Sequence, residues 1–430
     1  MNATIFALAT PPGRGAVAVV RLSGPESGRA VLALAGVLPA ARVATLRTLR
    51  HGGARLDQAL ILWFPAPASY TGEDVAELHL HGGRAVVEGV LGALSDLGLR
   101  PAEPGEFTRR AFENGRMDLA QAEAVADLID AESAAQARQA LGQLDGALRA
   151  VYAGFRADLL RALALVEAEI DFPDEDVPDG LARTAGPILD RLAGDLRRAL
   201  ADAGRGERVR EGYRIVLIGE TNAGKSSLFN ALVAREAAIV TAIPGTTRDV
   251  LDAQLVLDGY AVTLSDTAGL RESDDPIEAE GVRRARARAA AADLRLWVRA
   301  PGDPEGDAAE FVRPDDLVVW TKADLGAEGE GLRVSTITGE GMDALHAALS
   351  ERLRGDLSGA DFPAVTRARH RLRLTEALDA VESGRRALFL APEMAGEDLR
   401  RAATALAQVT GEIGVEDVLG EVFASFCIGK

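Results

Sequence analysis

One stretch combines the residue types and the spacing that binding a nucleoside triphosphate requires. Residues Gly219 to Ser226 read GETNAGKS and fit the pattern G-x-x-x-x-G-K-[ST]. The apolar run 213–218 is typical of a buried strand, and 227–234 has apolar residues at helical spacing. In such a unit, backbone N–H groups and the positive helix end face the phosphates, Lys225 adds a charge and the Ser226 hydroxyl binds Mg²⁺. The alternative is an ordinary glycine turn, which the intact flanking pattern disfavours.

Two further motifs follow in the order that a GTPase needs. Asp266-Thr-Ala-Gly269, after a predicted strand at 261–265, combines a carboxylate that can reach Mg²⁺ through water with a glycine N–H that senses the γ-phosphate. Thr321-Lys-Ala-Asp324 resembles the N-K-x-D guanine reader, in which the aspartate accepts hydrogen bonds from guanine N1 and N2 that adenine cannot supply. Because Thr321 replaces the asparagine, we expect a weaker contact to the base edge. The motifs together favour guanine over adenine.

Two shorter segments complete the predicted nucleotide site. Gly245-Thr246-Thr247 lies where the chain would fold over the nucleotide, with Thr247 as a second Mg²⁺ hydroxyl, and Ser335-Thr336 resembles the S-A loop behind the base. The residues expected to bind GTP are Asn222, Ala223, Gly224, Lys225, Ser226, Ser227, Thr241, Ala242, Ile243, Pro244, Gly245, Thr246, Thr247, Asp266, Thr267, Ala268, Gly269, Thr321, Lys322, Ala323, Asp324, Ser335 and Thr336.

Hydrolysis needs a group that the Ras-like pattern does not supply here. Leu270 stands where Ras-like switches carry a glutamine, and a leucine cannot orient water. The acids that follow are either a source of the missing group or solvated charges on a loop: Glu272, Asp274, Asp275, Glu278 and Glu280. Asn222 offers an oxygen that could help hold a monovalent cation, which would neutralise transition-state charge in place of an arginine.

Composition limits the class of protein. A chain of 430 residues predicts about two to four domains, and a net charge of −17 disfavours nucleic-acid binding through a global positive field. Any RNA contact must come from a local patch or be shared with a partner. Cys427 is the single cysteine, which excludes an internal disulfide and fits a reducing compartment. With neither a signal-peptide pattern nor a run of about 20 apolar residues, we expect a cytoplasmic protein without membrane contact.

The pattern along the chain predicts a multidomain fold. Residues 1–116 form an α+β domain, with strands at 4–9, 17–21, 59–64 and 75–80, helices at 27–35 and 85–97, and loops that include 10–15, 69–74 and 103–107. Residues 117–207 are mainly helical, with an acidic connection at 171–179 and a linker at 204–206. Residues 208–361 alternate strand and helix, as in a Ras-like α/β domain. Residues 362–430 are helical again, so the α/β domain is predicted to be an insertion in one helical domain.

These motifs, with several others, resemble the MnmE (TrmE) family of tRNA modification GTPases over nearly the whole chain. The further motifs are Thr10-Pro-Pro-Gly-Arg-Gly, Tyr70-Thr-Gly-Glu-Asp74, His81-Gly-Gly83, Pro104-Gly-Glu-Phe107, Met117-Asp-Leu-Ala-Gln-Ala-Glu-Ala124, Asp266-Thr-Ala-Gly-Leu-Arg-Glu272 and the ending Cys427-Ile-Gly-Lys430. The resemblance implies a homodimer formed through a folate-binding N-terminal domain and a potassium-dependent GTPase. With an FAD-containing, MnmG-like partner in a heterotetramer, it implies addition of an aminomethyl or carboxymethylaminomethyl group to C5 of the wobble uridine of certain tRNAs. The one-carbon unit would come from a tetrahydrofolate in its 5-formyl or 5,10-methylene form.

The resemblance also implies roles by position. Potassium would be held by Asn222, Thr241, Ile243 and Thr246, the middle two through backbone carbonyls, and Mg²⁺ by Ser226 and Thr247. Glu278 would be the catalytic glutamate. Folate would contact Arg21, Glu77, Arg116 and Lys430, although Arg21 and Glu77 are otherwise explained as exposed strand residues. Cys427 is either a functional thiol in the modification chemistry or a buried thiol near a helix end.

Two other functions fit the G-domain motifs. The first is a regulatory GTPase switch in ribosome assembly or translation, which would need neither the first 116 residues nor the CIGK ending. The second is an adenine-nucleotide switch, which Asp324 disfavours.

Overall fold

The computed structural model describes residues 3–171, 180–235, 250–267, 283, 286–303, 309, 312–326, 329–358, 363–413, 422, 423, 426 and 429. In the first part of the chain the elements are β1 (Ile5–Leu8), β2 (Gly15–Ser23), α1 (Ser27–Ala35), β3 (Thr45–His51), β4 (Ala54–Phe64), β5 (Val75–Gly82), α2 (Arg84–Asp96), β6 (Arg100–Pro101), α3 (Glu106–Glu113), α4 (Leu119–Asp130), α5 (Ala134–Leu144), α6 (Ala147–Asp171), α7 (Gly186–Ala201) and α8 (Ala203–Glu211). They continue as β7 (Tyr213–Ile218), α9 (Lys225–Arg235), β8 (Val250–Leu257), β9 (Tyr260–Thr267), β10 (Leu294–Arg299), β11 (Leu317–Trp320), β12 (Leu332–Arg333), α10 (Met342–Leu357), α11 (Ala368–Ala387) and α12 (Pro392–Thr410).

The chain divides into two compact units. The first contains Met1–Ala126, Leu144–Ala185 and Arg386–Lys430, and the second contains Asp127–Gln143 and Gly186–Arg385. The domain limits predicted from the sequence stay a prediction. The predicted classes are confirmed, since an α+β domain, long helices and an α/β sheet domain are all present.

The first unit is built on a six-stranded sheet in the order β3-β4-β5-β2-β1-β6. Its strands run antiparallel, except that β1 and β6 are parallel. Because strand side chains alternate between faces, one face buries Val20, Leu22, Ile61 and Leu78 in a cluster that also contains Val31 of α1. The four strands expected in this part of the chain are present with different limits, and β3 and β6 were not predicted.

Helix α3 corrects the loop that was predicted at 103–107. Glu106 lies in the first turn of the helix, where its carboxylate accepts a hydrogen bond from the backbone N–H of Glu103. Phe107 then packs with Ile5, Ala7 and Ala102 on the second face of the sheet. The turn residues Pro104 and Gly105 mark only the start of this helix.

The second unit contains the predicted α/β sheet, in the order β12-β11-β10-β7-β9-β8. Strand β8 is antiparallel to β9 at the edge, and the other neighbouring pairs are parallel. In β7, Ile215 and Leu217 pack in the cluster that contains residues of α9 and α10, whereas Val216 and Ile218 pack with Ala289 and Ala292 on the opposite face. This arrangement confirms the predicted sheet with cover on both faces.

The predicted linker at 204–206 is wrong, because these residues lie in α8. Gly206 is buried, and a Cβ added there would lie 2.1 Å from the carbonyl oxygen of Val365 and 2.6 Å from Cγ of Pro363. The glycine therefore allows close contact between α8 and the segment before α11. It does not serve chain flexibility.

In each unit, a helix from before the α/β sheet packs against a helix from after it. In the first unit α6 and α12 are joined by the ion pair of Glu167 and Arg400, at 3.0 Å. In the second, Arg385 of α11 donates hydrogen bonds to both carboxylate oxygens of Asp190 in α7, at 2.9 and 3.1 Å. Among the helices that the structure describes, none is long and apolar enough to cross a membrane.

Candidate functional site

The loop between β7 and α9 is shaped by two glycines. Gly219 has a φ of +148°, and a Cβ added to it would lie 2.1 Å from the carbonyl oxygen of Val298 in the neighbouring strand β10. Gly224 has a φ of +91°, and its added Cβ would lie 3.0 Å from Oγ1 of Thr321. Larger residues would be strained at both positions. The loop therefore passes close to β10 and to the segment after β11 before α9 begins at Lys225.

Lys225 places its charge inside this loop. Its Nζ donates hydrogen bonds to the carbonyl oxygens of Gly219, at 2.9 Å, and Glu220, at 2.8 Å. Burial lowers the pKa of the Lys225 ammonium, and the nearby carboxylate of Asp266 opposes that shift. A buried cation at a helix N-terminus is suited to phosphate groups, which bring the opposite charge.

Ser226 and Asp266 form a pair that fits a divalent cation. Asp266 lies opposite Leu217 in the parallel pairing of β9 with β7, and its Oδ2 accepts a hydrogen bond from Ser226 Oγ at 2.5 Å. The Oδ1 atom of Asp266 is buried without a hydrogen-bond partner among the described residues. An unpaired buried carboxylate oxygen beside a hydroxyl is a donor set that suits Mg²⁺, a hard cation that prefers oxygen.

The segment after β11 is tied to the phosphate loop. Thr321 Oγ1 lies 2.5 Å from the carbonyl oxygen of Ala223, and Lys322 Nζ donates a hydrogen bond to the carbonyl oxygen of Asn222 at 3.0 Å. Asp324 is exposed in the short 3₁₀ turn Ala323–Leu325 that follows. Its exposed carboxylate can therefore accept hydrogen bonds from a ligand.

The loop 334–338 joins the same site. The N–H of Ala323 donates to the carbonyl oxygen of Val334 at 3.1 Å. Ser335 is buried, and its Oγ accepts hydrogen bonds from the backbone N–H groups of Ile337 and Thr338. The structure thus brings the phosphate loop, Asp266, the 321–324 segment and the predicted base loop together.

Several predicted site residues lie outside the described residues: Thr241, Ala242, Ile243, Pro244, Gly245, Thr246, Thr247, Ala268, Gly269, Glu278, Cys427 and Lys430. The structure likewise does not describe the acids Glu272, Asp274, Asp275 and Glu280. Thr267 ends β9, but its side chain is not described.

A second cluster of polar side chains lies in the first unit. Arg21 of β2 and Glu77 of β5 are opposite each other in the sheet, and Arg21 Nη2 lies 3.0 Å from Glu77 Oε1. The Arg21 guanidinium lies 5.3 Å from the ring centroid of Tyr70, and His79 Nε2 lies 3.3 Å from Glu77 Oε2. Both members of the ion pair are only 18% exposed. Neighbouring side chains therefore cover most of both residues, which do not lie on an open strand surface.

A buried network that sequence reasoning missed lies beside this cluster. Glu73 Oε2 accepts hydrogen bonds from Ser23 Oγ, at 2.7 Å, and from Arg110 Nη1, at 2.9 Å. Arg110 also donates to Glu106, whose second partner is Arg100. Burial alone would raise the pKa of Glu106, but the hydrogen bonds from Arg100, the Glu103 N–H and Arg110 outweigh it and hold that pKa below its usual value. The signal was available in the motifs T-G-E-D and P-G-E-F, whose glutamates are the two carboxylates of the network.

Of the other two predicted folate residues, the structure describes Arg116 but not Lys430. The side chain of Arg116 packs against Gly72, two residues after Tyr70, since a Cβ added at Gly72 would lie 3.3 Å from Arg116 Cγ. Gly429, next to Lys430, has a φ of +101°, and its added Cβ would lie 2.3 Å from the carbonyl oxygen of Leu8. Leu8 ends β1, the strand that pairs with the Arg21 strand.

The family models and the full-length relatives that match this chain identify one family. A family model described as the GTP-binding protein TrmE N-terminus matches residues 4–116, and one described as the MnmE helical domain matches residues 119–427. The tRNA modification GTPase MnmE of Caulobacter vibrioides is 56% identical, and the match covers 100% of each chain. The proteins of that name from Phenylobacterium zucineum and Maricaulis maris are 55% and 53% identical, over 100% of each chain. Among solved structures, the G domain of the T. maritima FeoB iron transporter is 25% identical with a TM-score of 0.27, over 32% of this chain and 97% of that one. The chain therefore belongs to the MnmE family of tRNA modification GTPases.

Proposed function

We propose that this chain hydrolyses GTP at the loop 219–226 and uses the reaction in the modification of tRNA in the cytoplasm. With an FAD-containing, MnmG-like partner, it adds an aminomethyl or carboxymethylaminomethyl group to C5 of the wobble uridine of certain tRNAs. The observation that carries the GTPase part is the unpaired Oδ1 atom of Asp266 beside Ser226 and Lys225. It joins an anion-binding loop to a cation-binding oxygen, which is what a nucleotide–Mg²⁺ complex requires.

The residues of this chain divide the work at the GTP site. Lys225 and the N-terminus of α9 bind the phosphates, and Asp324 accepts hydrogen bonds from guanine N1 and N2. Ser226, Asp266 and Thr247 hold Mg²⁺, and Asn222, Thr241, Ile243 and Thr246 hold K⁺. When bound, these cations supply positive charge that offsets the charge on the phosphate oxygens in the transition state. Glu278 orients the attacking water, because Leu270 cannot.

The cluster in the first unit supports the folate part of the proposal. Arg21 and Arg116 bring positive charge for the glutamate carboxylates of a tetrahydrofolate, and Glu77 can accept hydrogen bonds from its pterin ring. The ring of Tyr70 beside Arg21 adds an apolar wall. Lys430, next to Gly429, adds a further positive charge, and Cys427 is proposed as a thiol in the modification chemistry.

The exposed face of the β3–β4 sheet region supports dimerisation through the N-terminal domain. Leu46 of β3 and Leu60 of β4 are opposite each other, and they are 51% and 44% exposed. Val17 of β2 is also exposed, whereas the neighbouring residue Ala18 is in the core. A second copy of the chain would bury this apolar face. The net charge of −17 makes a shared RNA site with the partner protein the simplest route to tRNA.

The test of the GTPase part is turnover by the full chain with Mg²⁺ in K⁺ and in Na⁺. We expect faster turnover in K⁺, and we expect Asn222→Ala to remove the difference without abolishing GDP binding. Glu278→Ala should lower turnover and leave nucleotide affinity nearly unchanged. Equal turnover of the unaltered protein in both salts would contradict the cation mechanism.

The test of the modification part is analysis of the wobble nucleosides in a deletion strain, with the unaltered chain restored as control. Tetrahydrofolate binding by the purified chain separates this function from a ribosome-docking switch, which has no need of it. Normal wobble nucleosides in the deletion strain would overturn the proposal.

A further inference from the structure

We propose that Thr321 positions the phosphate loop and does not read the N7 edge of the base. The inference rests on the proposed function, since it concerns how a guanine nucleotide is held. In the N-K-x-D motif the asparagine contacts the base edge, and here threonine replaces it. The structure gives the threonine a different set of partners.

The only polar hydrogen of the Thr321 side chain has two acceptors inside the protein. Its Oγ1 lies 2.5 Å from the carbonyl oxygen of Ala223 in the phosphate loop and 3.2 Å from the carbonyl oxygen of Arg299 at the end of β10. A carbonyl oxygen has no hydrogen to give, so both contacts need the one hydroxyl proton. The shorter contact, to Ala223, takes it.

The surroundings hold the hydroxyl in this position. Thr321 is 2% exposed, and its backbone N–H donates to the same Arg299 carbonyl oxygen at 2.8 Å. The guanidinium of Arg299 lies over two indole rings, 4.7 Å from the centroid of Trp297 and 4.6 Å from that of Trp320. This stacking fixes the strand ends on which Thr321 depends. Turning the hydroxyl away would leave the Ala223 contact unmade in a buried place.

The edge of guanine that carries N7 and O6 offers two acceptors. A hydroxyl whose proton is already bound to Ala223 cannot donate to either of them. An asparagine differs because its amide carries two N–H groups, enough for one bond to the protein and one to the base. Selection of guanine therefore falls to Asp324 on the N1 and N2 side, and Thr321 acts on the phosphate end through Ala223 and Gly224.

The experiment is a double-mutant-type cycle that removes one group from the protein and one from the nucleotide. For each combination, the Kd of the full chain for the nucleotide is measured in Mg²⁺ and K⁺. The first change removes the hydroxyl with the isosteric Thr321→Val, and the second removes the base nitrogen with 7-deaza-GDP in place of GDP. We expect the unaltered chain to bind the two nucleotides within threefold of each other. We expect Thr321→Val to weaken both by the same factor, about tenfold, because one buried hydrogen bond to the loop is lost. Thr321→Ser, which keeps the hydroxyl, should recover GDP affinity to within threefold of the unaltered chain.

Three results would overturn the inference. They are a loss above threefold for 7-deaza-GDP with the unaltered chain, a Thr321→Val variant that binds GDP as tightly as the unaltered chain, and a Thr321→Val loss that is larger for GDP than for 7-deaza-GDP. Should Thr321→Val fail to fold, the comparison of GDP with 7-deaza-GDP on the unaltered chain still decides whether the N7 edge of the base is read. Absence of any GDP binding, or equal binding of ADP, would instead contradict the proposed function.

Discussion

At the scale of single residues, Asp266 has an energetically unfavourable environment that its function explains. A buried carboxylate oxygen without a donor is unfavourable, and Asp266 Oδ1 has no hydrogen-bond partner in the described part of the chain. The other oxygen is fixed by Ser226, so the carboxylate cannot turn without breaking that bond. A divalent cation would remove the cost. The unpaired oxygen is therefore best explained by a role in cation binding.

We expect Asp266→Asn to raise the Mg²⁺ concentration that GTP turnover requires. The amide keeps the size of the side chain but loses the negative charge, and loss of a group that supports a bound metal typically costs about 10–100-fold in metal affinity. The measurement is a Mg²⁺ titration of turnover. Asp252→Asn on β8 is the control, because both oxygens of Asp252 already have protein partners, Ser265 and Arg288. Equal Mg²⁺ requirements in the two variants would contradict the assignment.

A second prediction at this scale concerns pH and Glu106. Hydrogen bonds hold the pKa of Glu106 below the ordinary value of 4.5, so the folded state binds fewer protons than the unfolded state in this range. The stability that Glu106 contributes is therefore complete above pH 4.5 and is lost as the pH falls through the lowered pKa. We expect Glu106→Gln to reduce the opening free energy of this domain by about 1.5–3 kcal/mol at neutral pH.

The difference between Glu106→Gln and the unaltered chain should shrink on acidification. Hydrogen exchange of the β2 amides, corrected for intrinsic rates, reports that opening free energy. Glu88→Gln is the matched control, because Glu88 is 60% exposed and its ion pair with Arg84 is a surface pair. If the difference in opening free energy stayed constant down to low pH, the carboxylate of Glu106 would not be the source of the stability.

Residue types and spacing were enough to find the charged groups of the GTP site. Lys225, Ser226 and Asp266 lie where strand–loop–helix chemistry predicts them. The carboxylates Glu73 and Glu106 were not singled out, because a glutamate in a polar loop or first helical turn is usually solvated. The partners of Glu106 lie within six residues of it, but Glu73 is paired with Arg110, which is 37 residues away in the chain. Sequence patterns report local periodicity and cannot give such pairings.

At the scale of elements, α8 shows how the meaning of a glycine depends on its contacts. The pattern G-R-G suggested a flexible connection, yet both glycines lie in a helix that leads into β7. Gly206 meets the backbone of Val365, whereas a Cβ added at Gly204 would meet only the end of the Arg208 side chain, at 3.3 Å. The two glycines thus share one local sequence pattern, but Gly206 is tightly packed and Gly204 is not.

We expect Gly206→Ala to destabilise the second unit by about 1–3 kcal/mol, because the methyl group overpacks the contact with Val365 and Pro363. Gly204→Ala is the matched change and should stabilise the helix by up to about 1 kcal/mol, since alanine is the better helix former. The measurement is hydrogen exchange of the β7 amides in the full chain. Two variants of equal stability would show that α8 is not held by this contact.

At the scale of the whole molecule, the order of elements was largely predictable and their grouping was not. Alternating strands and helices at 213–357 gave the parallel sheet, and the long apolar stripes gave α6 and α12. The division into two compact units depends on pairs distant in the chain, such as Arg385 with Asp190 and Arg400 with Glu167. Each half of the split helical region contributes to both units, a property that no local pattern contains.

In the first unit Gly429 lies beside the end of β1, and this contact gives the last prediction. Gly429 lies against the carbonyl oxygen of Leu8, where an added Cβ would approach to 2.3 Å. Gly429→Ala would push this part of the chain away from β1 and would therefore move the neighbouring residue Lys430, which is proposed to contact folate. We expect tetrahydrofolate affinity to fall about tenfold, as for loss of one charged contact. GTP turnover should stay within twofold, because the phosphate loop belongs to the second unit.

The control for this prediction separates backbone strain from close contact. Gly36 has a φ of +74° at the end of α1, and a Cβ added there meets no described atom within 4 Å. Gly36→Ala therefore brings the strain of a left-handed alanine to the same unit without a clash. Titration of both variants with a tetrahydrofolate measures the effect. If Gly36→Ala weakened binding as much as Gly429→Ala, general destabilisation would explain the loss. If only Gly429→Ala weakened it, the end of the chain would be part of the folate site, because displacement of the terminus is the difference between the two changes.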